Sequence, residues 1–338
     1  MDTEFHYYIT GIIAKAAGFS QDEAKTIATA AEYVDENDVC LKISDPKGGD
    51  DYENYISQTM NILQPKRKLL RIYPVFHFVP GDPMDEKAAR RDGKMHLLNT
   101  TPNNKIANNL IDEAFNASDD TRLYRIGIAT HAYSDTWAHQ NFVGWYDIFN
   151  NISLDIKPDV GHANAEHHPD WPAHRWEDVR LADDQVHNTE RFLEAAEYIY
   201  MKYRAYNLKR NCIVSEDWSQ LRIQLIEAIG SSFSGPRNYY REDRIRRYND
   251  LAPWLGDFDE SEWFKEAIDI RVKGFKDSQE GLLSMFTMFK DDLCWKQDAD
   301  KEKTHWFRFQ EAVKEHQGKA MPHLDEIFKK MGVNLHAL

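Results

Sequence analysis

The sequence is poor in cysteine. Its 338 residues include three cysteines, Cys40, Cys212 and Cys294, which lie far apart in the chain. Their number is odd and none forms a close CxxC pair, which argues against a disulfide framework and favours a reducing compartment.

Export and membrane signals are also missing. Met1 is followed by the acidic stretch Asp2-Thr3-Glu4, with no basic region before the first apolar segment. That segment is too short and too polar to span a bilayer. We therefore predict a cytoplasmic protein without a transmembrane helix.

Positive charge is scarce. The chain has 42 Lys and Arg against 56 Asp and Glu, a formal charge of -14. This excess opposes general attraction to nucleic acid or anionic lipid, although a local basic patch can still bind one phosphate. Arg91, in the patch formed with Arg90 and Lys94, is the predicted substrate-binding residue. A second cluster lies at Arg237, Arg241, Arg244, Arg246 and Arg247, for which the alternative is a solvated helix face paired with Glu242 and Asp243.

What the chain does contain is apolar residues at helical spacing. A hydrophobic content of 42% is enough for a substantial core. We predict an all-α fold: a single multi-helix domain in which residues 1–180 form a metal-site core and residues 181–338 pack on it. The predicted helices are 4–17, 21–36, 84–97, 103–117, a central helix around 127–140, 182–207, 216–230, 258–272, 275–293 and 303–331. Residues 39–43 are predicted as a brief strand, 69–83 as an extended segment or loop, and 144–174 as a long loop.

The central helix carries His131, Asp135 and His139. Residues four apart share one stripe of a helix, so these side chains can face one cavity. Polar groups on an apolar helix need a partner or a metal once they leave water, and a divalent cation would satisfy all three. The alternatives are a solvated face or hydrogen-bonded core pairs. Asp119 or Asp120 is the predicted N-cap of this helix.

Further candidate ligands occur elsewhere in the first half of the chain. They are His6, Asp35, His77, His162 and Glu166. His162 and Glu166 are again four apart, so a helical turn would aim both at one point. Imidazole nitrogens and carboxylate oxygens are ordinary zinc ligands, and a carboxylate can bridge two metals.

The order of these residues resembles the zinc-dependent phospholipase C and single-strand nuclease superfamily, which consists of all-helical enzymes with a three-zinc cleft. Four pieces look more closely like an uncharacterised bacterial family distantly akin to it: Phe5-His6-Tyr7-Tyr8, Tyr33-Val34-Asp35, Phe76-His77-Phe78, and the stretch from His131 to Gln140. The resemblance covers roughly residues 5–175. It implies a fold like that of phospholipase C, with extra C-terminal helices.

The resemblance also implies a ligand assignment for one to three zinc ions. One zinc would be held by Asp35, His77, His131 and Asp135, a second by His139, His162 and Glu166, and a third by His6 and a bridging Asp135. Two departures leave part of this assignment open. The superfamily's mature enzymes begin with a Trp whose α-amino group and carbonyl bind the third zinc, whereas here five residues precede His6. The spacing from Asp135 to His139 is also shorter than usual, so His139 can turn to the first metal or only hydrogen-bond.

The function implied is a zinc-dependent hydrolase of phosphate esters, with phosphodiesters included, that uses a metal-activated hydroxide. Asp35 is the predicted catalytic residue, orienting the attacking water or accepting its proton. Lipid headgroups, nucleotides and small phosphate esters all remain open as substrates, and the oligomeric state is not predicted. The alternatives are a metal-stabilised helical binding or scaffold protein without catalysis, and a metal-free interaction protein.

Overall fold

The computed structural model describes residues 1–59, 69–152, 159–214, 216–272 and 291–333. Over these ranges the chain is mainly helical, and its strands occur only as short pairs. The predicted all-α class is confirmed in this broad sense. None of the described helices is long and apolar enough to cross a membrane.

Two helices form the N-terminal part of the fold. A π-helical segment, Glu4–Ile9, continues directly into α1, Thr10–Ala16. Helix α2 spans Gln21–Glu36 and begins with a capping box, because Ser20 accepts from the Glu23 backbone while Glu23 accepts from the Ser20 backbone. The helices predicted at 4–17 and 21–36 are therefore confirmed, and Asp35 lies in the last turn of α2.

The central element is α4, Arg122–Ala138, which follows α3, Lys105–Ala114. Every residue of α4 from Tyr124 onward is buried, because α2, α3 and several later helices surround it. Neither Asp119 nor Asp120 caps it: the N-cap is Thr121, without a side-chain hydrogen bond. The helix is held by packing on all sides rather than by its ends.

Five described helices follow in the second half of the chain. They are α5 (Asn188–Lys209), α6 (Trp218–Ile229), α7 (Arg241–Leu251), α8 (Glu262–Ala267) and α9 (His305–Lys330). Both halves of the chain contribute to the same apolar core: Phe309 and Val313 of α9 cluster with Tyr33 of α2 and Ile128 of α4. The helices predicted at 216–230 and 303–331 are confirmed.

The strands form antiparallel two-stranded pairs. They are β1 (Lys42–Ile43) with β2 (Tyr52–Glu53), β3 (Tyr146–Asp147) with β4 (Asp159–Val160), β5 (Arg175–Glu177) with β6 (Gln185–His187), and β7 (Ile268–Val272) with β8 (Asp291–Trp295). The brief strand predicted at 39–43 is thus confirmed in its last two residues. The loop at 144–174 contains one of these pairs and short 3-10 turns.

Several element predictions are wrong, and each error has a tertiary cause. Residues 84–97 contain only the 3-10 turn Glu86–Ala88, since Arg90 pairs with Leu181 in a β-bridge and Gly93 adopts a left-handed φ of +66°. The predicted loop at 69–83 includes a π-helical turn, Tyr73–His77. Helix α5 begins at Asn188 because the residues before it form β6.

The C-terminal half differs from the predicted helices in three further places. The helix predicted at 258–272 ends at Ala267, because the chain then pairs as β7 with β8. That pairing also makes residues 291–293 of the helix predicted at 275–293 a strand, and the remainder of that helix lies outside the described residues. Helix α7 was not predicted, because seven of its eleven residues are charged and it shows little apolar periodicity.

Gly127 sets the contact between α4 and α2. A Cβ at this position would lie 2.5 Å from the Ile27 carbonyl oxygen and 2.6 Å from Ala30 Cβ. We therefore expect Gly127→Ala to destabilise the protein by about 1–3 kcal/mol, although alanine is the better helix former. Urea unfolding followed by circular dichroism measures this.

The matched control is Gly318→Ala in α9, where the added Cβ meets nothing within 4 Å. This substitution should stabilise the protein by about 0.5–1 kcal/mol. If both substitutions changed the free energy of unfolding equally, the close contact between α4 and α2 at Gly127 would not determine the stability of the fold.

Candidate metal centre

The stripe predicted on α4 forms the floor of a buried cluster. His131 Nε2 lies 3.3 Å from Asp135 Oδ2, and His139 Nδ1 lies 3.5 Å from the same oxygen. His139 is the C-cap of α4, so its side chain continues the stripe just beyond the last turn. All three side chains are at least nine-tenths buried.

His77 and His131 point their second ring nitrogens at each other. Nε2 of His77 donates to the Ser57 carbonyl at 2.9 Å, and Nδ1 of His131 donates to the Ala31 carbonyl at 2.8 Å. A carbonyl can only accept, so in the neutral rings the remaining nitrogens carry lone pairs. Those nitrogens are 3.0 Å apart. Two facing lone pairs at this distance repel unless a proton or a metal cation lies between them.

Two carboxylates complete this first ligand set. Asp135 Oδ2 is 3.5 Å from His77 Nδ1, and Asp35 Oδ1 is 3.7 Å from the same nitrogen and 3.8 Å from His131 Nε2. Ligands about 2.0–2.1 Å from a tetrahedral zinc are separated by roughly 3.3 Å. The donor atoms of His77, His131 and Asp135 are 3.0–3.5 Å apart and suit one zinc ion. Asp35, at 3.7–3.8 Å from both imidazoles, is a candidate fourth ligand.

A second set forms around Asp170. Nδ1 of His139 donates to the His77 carbonyl at 2.8 Å, and Nδ1 of His162 donates to the Glu166 carbonyl at 2.6 Å. Both free Nε2 atoms then face Asp170, at 3.3 Å from Oδ1 for His139 and 3.4 Å from Oδ2 for His162. These three side chains can hold one divalent ion.

His6 belongs to the π-helical segment, and its side chain packs against α4. It is fully buried, and its ring stacks on His131 at 3.8 Å between centroids. Its Nε2 is 3.2 Å from Asp135 Oδ1, but neither ring nitrogen makes an aligned hydrogen bond with a described residue. Burial, helped by the charges of His131 and the Met1 ammonium, lowers the pKa of His6 to about 3. The ring is therefore neutral and keeps a lone pair available to a metal.

The α-ammonium group of Met1 also enters the cluster. It contacts Asp135 Oδ1 and lies 3.3 Å from Asp170 Oδ1. Burial opposes its protonation, but Asp135 and Asp170 outweigh that effect and raise its pKa to about 11.

The carboxylates of the cluster are ionised. Burial alone would raise the pKa of Asp135, yet His139, the Met1 ammonium and His131 bring it well below its usual range. The pKa of Asp170 is also well below normal, because His162 and the same ammonium outweigh burial. Asp35 is lowered in the same sense, with His131 and His77 outweighing burial. Ionised carboxylates in this position are ready to bind a cation.

The described residues provide donor atoms that could hold two ions. They form three groups, each with its donor atoms within 4.8 Å of one another: His6, Asp35 and His131; His77, His131 and Asp135; and His139, His162 and Asp170. His131 has a single free nitrogen and can bind only one ion, so the first two groups compete for it. A third ion would depend on His6 and a bridging Asp135 oxygen.

The cluster opens into a cavity of about 530 Å³. Its wall includes Asp35, His77, Asp135, His139, His162 and Asp170, with Asp2, Glu32, Glu36 and Glu166 as further acidic residues. Tyr73, Phe78 and Trp171 supply aromatic surface. No Lys or Arg lines the described part of this cavity. Arg91 lies elsewhere and pairs with Asp184 at 3.0 Å, so the structure does not bring the predicted substrate-binding residue to the site.

A family model matches most of this chain. Residues 1–324 match DUF6765, a family of unknown function. The chain belongs to DUF6765. No curated protein and no solved structure matches the sequence. The chemistry of this DUF6765 chain therefore has to be argued from its own residues.

Glu166 and Asp170 differ from the sequence-based assignment. The helical turn predicted for 162–166 is a 3-10 turn over Ala163–Ala165, and Glu166 adopts a left-handed φ of +51°. This backbone brings the Glu166 carbonyl, rather than the carboxylate, to His162. In the second ligand set, Asp170 provides the carboxylate that the sequence-based assignment gave to Glu166. Its only sequence signal is its place in a loop rich in histidine.

A buried ion pair holds the segment that carries His6. Glu4 accepts from Arg244 Nε at 2.7 Å and from Nη2 at 2.8 Å, and both side chains are buried. We expect Arg244→Met to cost about 3–5 kcal/mol, because it leaves the Glu4 charge buried without its partner. Chemical denaturation would measure the loss.

Arg246→Met on the same helix is the control. Arg246 pairs with Asp243 at the surface, with a side chain that is 69% exposed. Its loss should change the free energy of unfolding by less than about 0.5 kcal/mol. A similar cost for both variants would mean that α7 itself, and not the buried pair, is sensitive to the substitution.

Proposed function

We propose that this chain is a zinc-dependent hydrolase of phosphate esters. The observation that carries the proposal is the pair of ring nitrogens of His77 and His131, which lie 3.0 Å apart, are oriented by backbone carbonyls and are flanked by carboxylates. Metal-binding histidines are oriented in this way, with the second ring nitrogen bonded to a backbone oxygen.

Two ligand sets next to an open cavity fit hydrolysis. Asp35, His77, His131 and Asp135 would hold one ion, and His139, His162 and Asp170 the other. Zinc, when bound, lowers the pKa of water and neutralises charge on a phosphoryl group. Asp35 is the least buried of these ligands, with a side chain that is 29% exposed, and it lines the cavity. Its ionised carboxylate can orient a water at the cavity wall and accept its proton.

The cavity wall favours small substrates over nucleic acid. Four carboxylates beyond the proposed ligands line it, from Asp2, Glu32, Glu36 and Glu166, and no described lining residue is Lys or Arg. Burial raises the pKa of Asp2 and Glu32 well above the usual range, so these two carboxyl groups carry little charge. The wall nevertheless offers no Lys or Arg side chain among its described residues to bind the further phosphates of a nucleic acid. The proposed substrate is therefore a phosphate monoester or diester whose remaining part is neutral or cationic.

Two zinc ions per chain are expected in protein purified without a tag or chelator and measured by elemental mass spectrometry. His162→Ala should reduce the content by one, because it removes a ligand of the second set only. His323→Ala is the control, since that side chain lies outside the described ligand groups. Absence of zinc after reconstitution would overturn the proposal.

Activity separates the hydrolase from a metal-stabilised scaffold. With bis(p-nitrophenyl) phosphate or p-nitrophenyl phosphate as substrate, we expect Asp35→Asn to lower kcat by about 10²–10⁴-fold, the usual effect of losing a general base. Because Asp35 is also a proposed zinc ligand, kcat is compared at equal zinc content of the variant and the unmodified protein. Arg91→Ala should retain activity, because its side chain lies away from the cavity. Zinc-loaded protein that is inactive on a broad panel of phosphate esters would favour the scaffold.

A further inference from the structure

Two arginines of the basic cluster form no salt bridge with a described residue. Arg244 is paired with Glu4 and Arg246 with Asp243, while Arg247 donates to the Ala228 carbonyl at 2.7 Å. Arg237 and Arg241 are exposed instead. Burial raises the pKa of Asp2, and the nearby charge of Arg241 opposes that rise. Both guanidinium groups are accessible to a ligand outside the protein.

Two exposed tyrosines lie between these arginines. Tyr239 is 41% exposed and Tyr240 is 67% exposed, with ring centroids 6.4 Å apart. Tyr240 also adopts a left-handed φ of +61°. Tyrosine combines an apolar ring with a polar tip, and side chains of this kind favour the boundary between water and an apolar phase.

The loop that carries these residues is fixed next to the cavity. Phe233 is buried at its base, with ring centroids 5.0 Å from His174 and 5.8 Å from Tyr239. Asn238 Nδ2 donates to Asp2 Oδ2 at 3.2 Å, and Asp2 lines the cavity. The Arg-Tyr-Tyr-Arg surface, defined by Arg237, Tyr239, Tyr240 and Arg241, is therefore close to the cavity mouth.

We propose that the Arg-Tyr-Tyr-Arg surface docks the protein on an anionic lipid membrane. The exposed guanidinium groups complement anionic headgroups, and the tyrosine rings suit the interfacial layer. Nucleic acid fits less well, because a long polyanion would extend over the rest of a chain of formal charge -14 and past the acidic cavity mouth. A flat lipid surface needs to meet only this patch. The inference does not depend on the proposed hydrolysis.

Flotation of the full-length protein with vesicles tests the proposal. Phosphatidylcholine vesicles containing phosphatidylserine should carry the protein, whereas pure phosphatidylcholine vesicles should carry much less. Binding should weaken between 0.1 and 0.5 M NaCl, since salt screens exposed charges. Arg237→Ala/Arg241→Ala should reduce the vesicle partition coefficient roughly 30-fold, from the usual contribution of two cationic side chains at an anionic surface.

The control variant is Arg204→Ala/Arg222→Ala, which removes the same charge from exposed positions on α5 and α6. It should bind vesicles like the unmodified protein. Tyr239→Ser/Tyr240→Ser should also lose binding while both arginines remain. The proposal is overturned if no vesicle binds, if both arginine variants lose binding equally, or if the surface binds single-stranded DNA in preference to vesicles.

Discussion

The candidate centre depends on hydrogen bonds from imidazole rings to backbone carbonyls. Ser57, Ala31, His77 and Glu166 each provide the carbonyl that receives one ring N–H. Each bond fixes a tautomer and directs the other ring nitrogen toward the carboxylates. Because these carbonyls come from separate segments of the chain, the centre exists only when those segments are packed against α4.

Burial strengthens the hydrogen bonds and ion pairs of the centre, but it also imposes the free-energy cost of removing charged and polar groups from water. Uncompensated carboxylates and imidazoles in a dry site would destabilise the fold, so each needs a partner of opposite charge or a cation. The Glu4 and Arg244 pair solves the same problem for the adjacent N-terminal segment, where two buried charges are joined by two hydrogen bonds. At the centre the anionic carboxylates outnumber the described fixed cations, which favours a bound cation.

The distribution of charge separates two surfaces with different roles. The cavity wall is lined by carboxyl groups around the donor atoms, whereas the exposed arginines lie outside it at the Arg-Tyr-Tyr-Arg surface. A substrate would therefore bind in the cavity, and a larger partner would bind the Arg-Tyr-Tyr-Arg surface. The basic cluster seen in the sequence is divided accordingly: Arg244 and Arg247 support the fold, and Arg237 and Arg241 face solvent.

Local sequence signals were sufficient to predict several helices and the placement of His131, Asp135 and His139 on one face of α4. Capping residues and apolar spacings of three and four act over a few residues, so they can be recognised before the fold is known. The order of His6, Asp35 and His77 also indicated residues that the structure brings into the same cluster.

The position of Asp170 and the end of α8 depend on tertiary contacts. Asp170 is 35 residues from Asp135 in sequence, and its place in the second set depends on how the 162–170 loop folds back over His139. Helix α8 likewise ends where the chain continues as β7, which pairs with β8, a strand that lies 20 or more residues beyond the helix. Such contacts arise from the closure of long loops and from buried packing, and their free energies outweigh local propensity without leaving a local pattern in the sequence.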